Sequence, residues 1–182
     1  MMIAASLAFA AAIAAAQSPV APPSLVGSWE LVKAETVTGS GQRLPVNVVK
    51  GGEKATGIVM YSADGWMATH ISGAGRPAVS VEDPTRRDHP PERAATLINS
   101  YYGYYGRYEV DAAAGKVRHF VKQSLHPDEI GQTYERAYKI EGDILTLTTP
   151  AVTAGGDTRF NQLSWRRVKS GAGDNDQTNT RK

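Results

Sequence analysis

At 182 residues with a net charge of +2 and no cysteine, the chain has room for one domain with a real core and is short for two. Its basic residues are scattered, which gives no footprint for nucleic acid or for an acidic membrane surface. The missing cysteines exclude a disulfide framework and a thiolate metal site, and they leave no Cys for a lipid anchor. High Gly content, frequent turns and β-branched runs favour an all-β chain over a helical bundle.

Met1 to Ala16 is apolar apart from Ser6, carries no charge and ends in Ala14-Ala15-Ala16 before Gln17. Residues 1–16 read as a signal peptide cleaved after Ala16, and the expected location is periplasmic or secreted. The competing reading is an uncleaved anchor, for which the run is short and Ala-rich. No membrane span is expected after cleavage. Residues 17–24 are a Pro-rich linker, residues 25–168 the domain, and residues 169–182 a polar tail read as disordered.

Within the domain, Leu25 to Val32 alternates, with Leu25, Gly27, Trp29 and Leu31 on one face. Val37 to Glu53 reads as loop, with a short extended piece at Val46 to Val49. Thr56 to Tyr61 and Trp66 to Ile71 flank a turn at Asp64-Gly65, a hairpin signal. Ile58, Met60, Met67 and Ile71 are expected inside and His70 outside. Prolines and glycines break the sheet from Ser72 to Pro91. A helix then runs from Glu92 to about Tyr102, with Pro91 at its first turn and an apolar stripe of Leu97, Ile98, Tyr101, Tyr102 and Tyr105. Gly103 and Gly106 end it, and Arg107 to Asp111 begins a strand.

Gly115 to Leu125 and Gly131 to Ile140 form a hairpin around a Pro-containing loop. Centred on that loop, His119 lies opposite Arg136, Val121 opposite Tyr134 and Gln123 opposite Gln132. Ile144 to Thr149 and Thr158 to Val168 complete eight strands. Short connections and one helical interruption fit an eight-stranded, or larger, antiparallel up-and-down barrel, with a two-sheet sandwich as competitor.

Leu25-Val-Gly-Ser-Trp-Glu-Leu31 resembles the opening of the bacterial and fungal lipocalin-like domain family. Gly57 to Tyr61 with Asp64-Gly65, Tyr105-Gly-Arg-Tyr-Glu-Val-Asp111, His119 to Pro127, Asp143 to Pro150 and Leu163-Ser-Trp-Arg-Arg-Val168 follow its pattern in order, from about Leu25 to Val168. The resemblance implies a calycin-type barrel and little about activity, since fold does not settle function. Gly27-x-Trp29 also resembles the start of classical lipocalins, where an Arg from the last strand closes the floor on the Trp. Arg166 or Arg167 is placed to stack on that indole, and Arg166 is the one assigned alongside Gly27 and Trp29 as structural.

Four His are present, His70, His89, His119 and His126, with no spacing that builds a metal site. No nucleophile elbow or phosphate loop occurs, and neither a metal nor a cofactor is expected. His119 facing Arg136 is the candidate constellation: the guanidinium keeps the imidazole neutral and can receive a carboxylate or enolate. Tyr134, Gln123 and Tyr108 would complete a polar patch in an apolar cavity, the composition of a small-molecule site. The competing structural reading pairs Arg136 with Glu109 and bonds His119 to a Tyr.

The expected function is binding of a small, largely apolar molecule bearing a carbonyl or carboxylate. One alternative is a cofactor-independent isomerase or cyclase with His119 as acid/base and Arg136 as oxyanion stabiliser. Another is a structural envelope protein with a filled barrel.

Overall fold

The computed structural model describes residues 24–45, 48–76 and 90–169. The expected signal peptide, residues 17–23 of the linker, His89 and the tail from residue 170 lie outside the described residues.

Ten strands and one helix follow in chain order: β1 (Gly27–Thr38), β2 (Arg43–Pro45), β3 (Thr56–Tyr61), β4 (Trp66–Ser72), α1 (Pro91–Asn99) and β5 (Tyr101–Asp111). The second half adds β6 (Lys116–Ser124), β7 (Thr133–Glu141), β8 (Ile144–Thr148), β9 (Val152–Ala154) and β10 (Asp157–Arg167). β1, β3, β4, β5, β6, β7, β8 and β10 pair antiparallel in that order, and β10 pairs back onto β1. The result is a closed eight-stranded up-and-down barrel, as expected. Closure leaves no edge among the eight, and β2 and β9 add short pairings to the ends of β1 and β10;. Among the described residues no helix is long and apolar enough to cross a membrane.

Alternation builds the core. Trp29, Val59, Tyr61, Met67, Ile71, Tyr104, Val117, Val121, Leu145, Leu147 and Trp165 are buried in one cluster, drawn from inward positions on seven of the eight barrel strands. At the floor, Trp29 Nε1 donates to Leu25 O at 2.9 Å. Arg167 lies over the Trp29 ring, 3.8 Å from its centroid, and donates to the carbonyls of Ser24 and Val26. The stacking partner is therefore Arg167, whereas Arg166 is exposed. The two positions differ by one residue, and a strand sends adjacent side chains to opposite faces.

Four further expectations are corrected. β5 starts at Tyr101, so the helix stops at Asn99 and Gly103 and Gly106 lie inside a strand. The tyrosine run carries a period-2 pattern as well as a helical one, and strand pairing with β4 decides between them. The glycines serve close strand approach: a Cβ on Gly106 would sit 1.9 Å from Phe120 O.

On β3 the inward residues are Val59 and Tyr61, leaving Met60 exposed. Both parities of β3 are apolar, so its pairing with β1, not its pattern, sets the face. On β4, Met67 and Ile71 are buried as expected, and His70 lies on the other face bonded to Tyr101.

The β6–β7 register sets His119 opposite Tyr134 and Val117 opposite Arg136, two residues away from the centred hairpin. The loop folds into a short 3-10 turn at Pro127–Glu129, and Gly131 N donates to Val121 O. That closes the hairpin asymmetrically. Finally, of the extended piece expected at Val46 to Val49, residues 46–47 lie outside the described residues and residues 48–49 form no strand, while the short strand of this segment is β2.

Candidate functional site

The site grows from one buried imidazole. His119 sits on β6 between two inward valines and is only 2 % exposed. Its Nε2 lies 2.9 Å from the Tyr61 hydroxyl and its Nδ1 2.8 Å from the Tyr104 hydroxyl. Burial, and then the charge of Arg136, push the imidazole pKa down to about 3;. His119 is thus a neutral bridge between two phenols. Burial likewise raises Tyr61 and Tyr104 well above the usual phenol range, so both keep their hydrogens.

A cavity of about 160 Å³ opens beside this group. Val59, Ile71, Leu147 and Leu163 supply apolar walls, with Tyr104, His119, Arg136 and Trp165 among them. Half-buried Tyr102, Thr149 and Asn161 line it further out. No carboxylate lines this cavity among the described residues. The Trp165 Nε1–H is buried and has no acceptor there.

Arg136 reaches the same cavity from β7. Its guanidinium donates to Glu135 O at 2.9 Å and sits 5.0 Å from the centroid of the Tyr134 ring. It makes no ion pair among the described residues, and Glu109, the carboxylate of the competing structural reading, pairs with Arg118. A half-buried guanidinium without a carboxylate suits an anionic or strongly accepting group.

Behind the lining residue Tyr102, and not itself lining the cavity, Glu129 accepts from the Tyr102 hydroxyl at 3.1 Å and from Ser124. Burial and the Glu129 charge push Tyr134 up to about 12.

The structure thus brings His119 and Arg136 to one cavity, without their direct pairing, and sets Tyr134 opposite His119 and under Arg136 but outside the cavity lining. It does not bring in Gln123 or Tyr108. Lys122 is an extra residue between the pairs Gly106–Val121 and Tyr105–Gln123, and this bulge turns Gln123 out to solvent;. Tyr108 packs edge-on against Tyr61 and donates to Ser62 O, away from the cavity. Tyr61, Tyr104, Trp165 and Asn161 were not legible as site residues. Tyr104 was hidden by the helical reading of its segment, and Tyr61 by the ambiguous face of β3.

Residues 26–168 match the lipocalin-like domain family. A protein of Aspergillus oryzae described as a 4'-hydroxy-3'-methoxypropiophenone carrier protein is 38% identical over 85 residues, which span 42% of this chain and 76% of that protein. No solved structure matches the chain. The barrel, its internal cavity and the carrier relative together support small-molecule binding. By the match over nearly all of its described residues and by its closed eight-stranded barrel, the chain belongs to the lipocalin-like domain family.

Proposed function

We propose that this protein is an exported carrier of a small, single-ring, largely apolar molecule bearing a carbonyl or carboxylate. The observation that carries the reading is Arg136, a guanidinium lining an otherwise mostly apolar cavity with no carboxylate partner among the described residues. Size supports a single ring, since a dry cavity of about 150 Å³ holds benzene. The carrier relative's named ligand is a single-ring aryl ketone, which fits the same chemistry. Export rests on the uncharged apolar run from Met1 to Ala16;.

The isomerase alternative loses its proton carrier, because both nitrogens of His119 are engaged by tyrosines. The filled barrel is not favoured either, given the cavity.

Calorimetric titration with benzoate and acetophenone tests the reading. Both should bind, and Arg136→Gln should weaken benzoate about tenfold to a hundredfold, as expected for losing a hydrogen bond to a charged group. Absence of binding by either compound at millimolar concentration would sink it. Cell fractionation with N-terminal sequencing tests export: a mature chain starting at Gln17 is expected, and a retained Met1 in the membrane fraction would refute cleavage.

A further inference from the structure

We infer that Tyr104, and not His119, is the group that meets the ligand's oxygen, and that His119 is a positioning residue that turns the Tyr104 hydrogen into the cavity. The inference rests on the carrier reading above and narrows its ligand to a hydrogen-bond acceptor that brings no hydrogen of its own, such as a ketone.

A neutral imidazole has one N–H, and each phenol has one O–H. Tyr61, His119 and Tyr104 therefore hold three polar hydrogens but make only two contacts, at 2.9 and 2.8 Å. One phenol must donate to the bare ring nitrogen, and the other must accept from the N–H. The accepting phenol keeps a spare O–H.

Where that hydrogen goes depends on the tautomer. With Nε2–H, the spare hydrogen belongs to Tyr61, which is 2 % exposed, does not line the cavity and has no second hydrogen-bond partner among the described residues. A buried hydrogen without an acceptor is costly. With Nδ1–H, Tyr61 donates to Nε2, and Tyr104 accepts from Nδ1. The spare O–H is then that of Tyr104, which does line the cavity. The Nδ1–H tautomer is the one that strands nothing.

A second observation points the same way. β10 lies four strands round the barrel from β5, and its Trp165 lines the cavity with a buried N–H that lacks an acceptor among the described residues. Arg136 adds only donors. Tyr104, Trp165 and Arg136 thus offer hydrogens and ask for lone pairs, so beside these three a ketone suits the cavity better than an alcohol, whose own hydrogen would have to reach Thr69, Thr149 or Asn161;.

The test starts on the unmodified protein. Nitrogen-15 NMR of the His119 ring should show a protonated Nδ1 and a bare Nε2, and the reverse assignment would overturn the inference whatever binds. Next, acetophenone should bind at least tenfold more tightly than 1-phenylethanol, which carries a hydrogen in place of a bare carbonyl. The infrared carbonyl stretch of bound, carbon-13-labelled acetophenone should fall below its value in a hydrocarbon solvent. In Tyr104→Phe that shift should vanish. Acetophenone binding with the shift intact in Tyr104→Phe, or equal affinity for the alcohol, would overturn this inference and leave the carrier reading standing. Failure of acetophenone and benzoate alike would overturn the carrier reading, and with it the ligand class inferred here.

Discussion

The guanidinium of Arg167 lies 3.8 Å from the centroid of the Trp29 indole, and its two terminal nitrogens bond the backbone carbonyls of Val26 and Ser24. One side chain thereby ties the last strand to both the first strand and the chain that enters it. Arg167→Ala removes a cation–π contact and two charge-assisted hydrogen bonds, for an expected loss of about 2 kcal/mol in urea unfolding. Arg166→Ala, on the exposed face, should stay within about 0.5 kcal/mol. Equal effects of the two changes would contradict the assignment.

His119 makes the fold sensitive to acid. Its pKa is about 3 when folded, against an ordinary value of 6.5. Between those values the unfolded chain binds a proton that the folded chain refuses. The His119 contribution is therefore complete above pH 6.5 and falls away as the pH drops towards 3. The slope is about 1.4 kcal/mol per pH unit. Urea midpoints measured from pH 7 to pH 4 should fall steeply in the unmodified protein and less steeply in His119→Gln. Parallel curves would show that another group carries the acid response.

At the alkaline end the sign reverses. Burial raises Tyr61, Tyr102 and Tyr104 above the usual phenol range. The unfolded chain loses those protons above about pH 10 while the folded chain keeps them, so stability should decline from there upwards. Of the eight tyrosines, these three should gain phenolate absorbance only together with loss of the folded circular-dichroism signal. Ionisation of all eight in a still-folded protein would refute the burial of Tyr61 and Tyr104 and the raised value of Tyr102.

Gly106 tests the bulged β5–β6 pairing. A Cβ there would stand 1.9 Å from a backbone oxygen, Phe120 O, which has no room to retreat. Gly106→Ala should cost about 3 kcal/mol, the upper range for overpacking. At Gly103 the nearest atom is Nδ1 of His70, on a side chain that can swing aside, so Gly103→Ala should cost less. Thermal melts of the two variants decide it, and a milder Gly106 variant would refute the close approach.

Local pattern pointed to the barrel and left a two-sheet sandwich as its competitor, which the β1–β10 pairing removes. Period-2 alternation, the Asp64-Gly65 turn and the spacing of short connections depend on local geometry, and eight such strands have few ways to bury one face each. It also placed His119 and Arg136 on inward faces, because parity survives a register error of two. Features that depend on a count of one or on a partner strand came only with the folded pairing. Arg167 rather than Arg166, the outward turn of Gln123 past the Lys122 bulge, and Val59 rather than Ile58 facing inwards all follow from strand pairing. The phenols around His119 come from β3 and β5, 58 and 15 residues earlier in the chain. No local pattern records that meeting; only closing the barrel makes it.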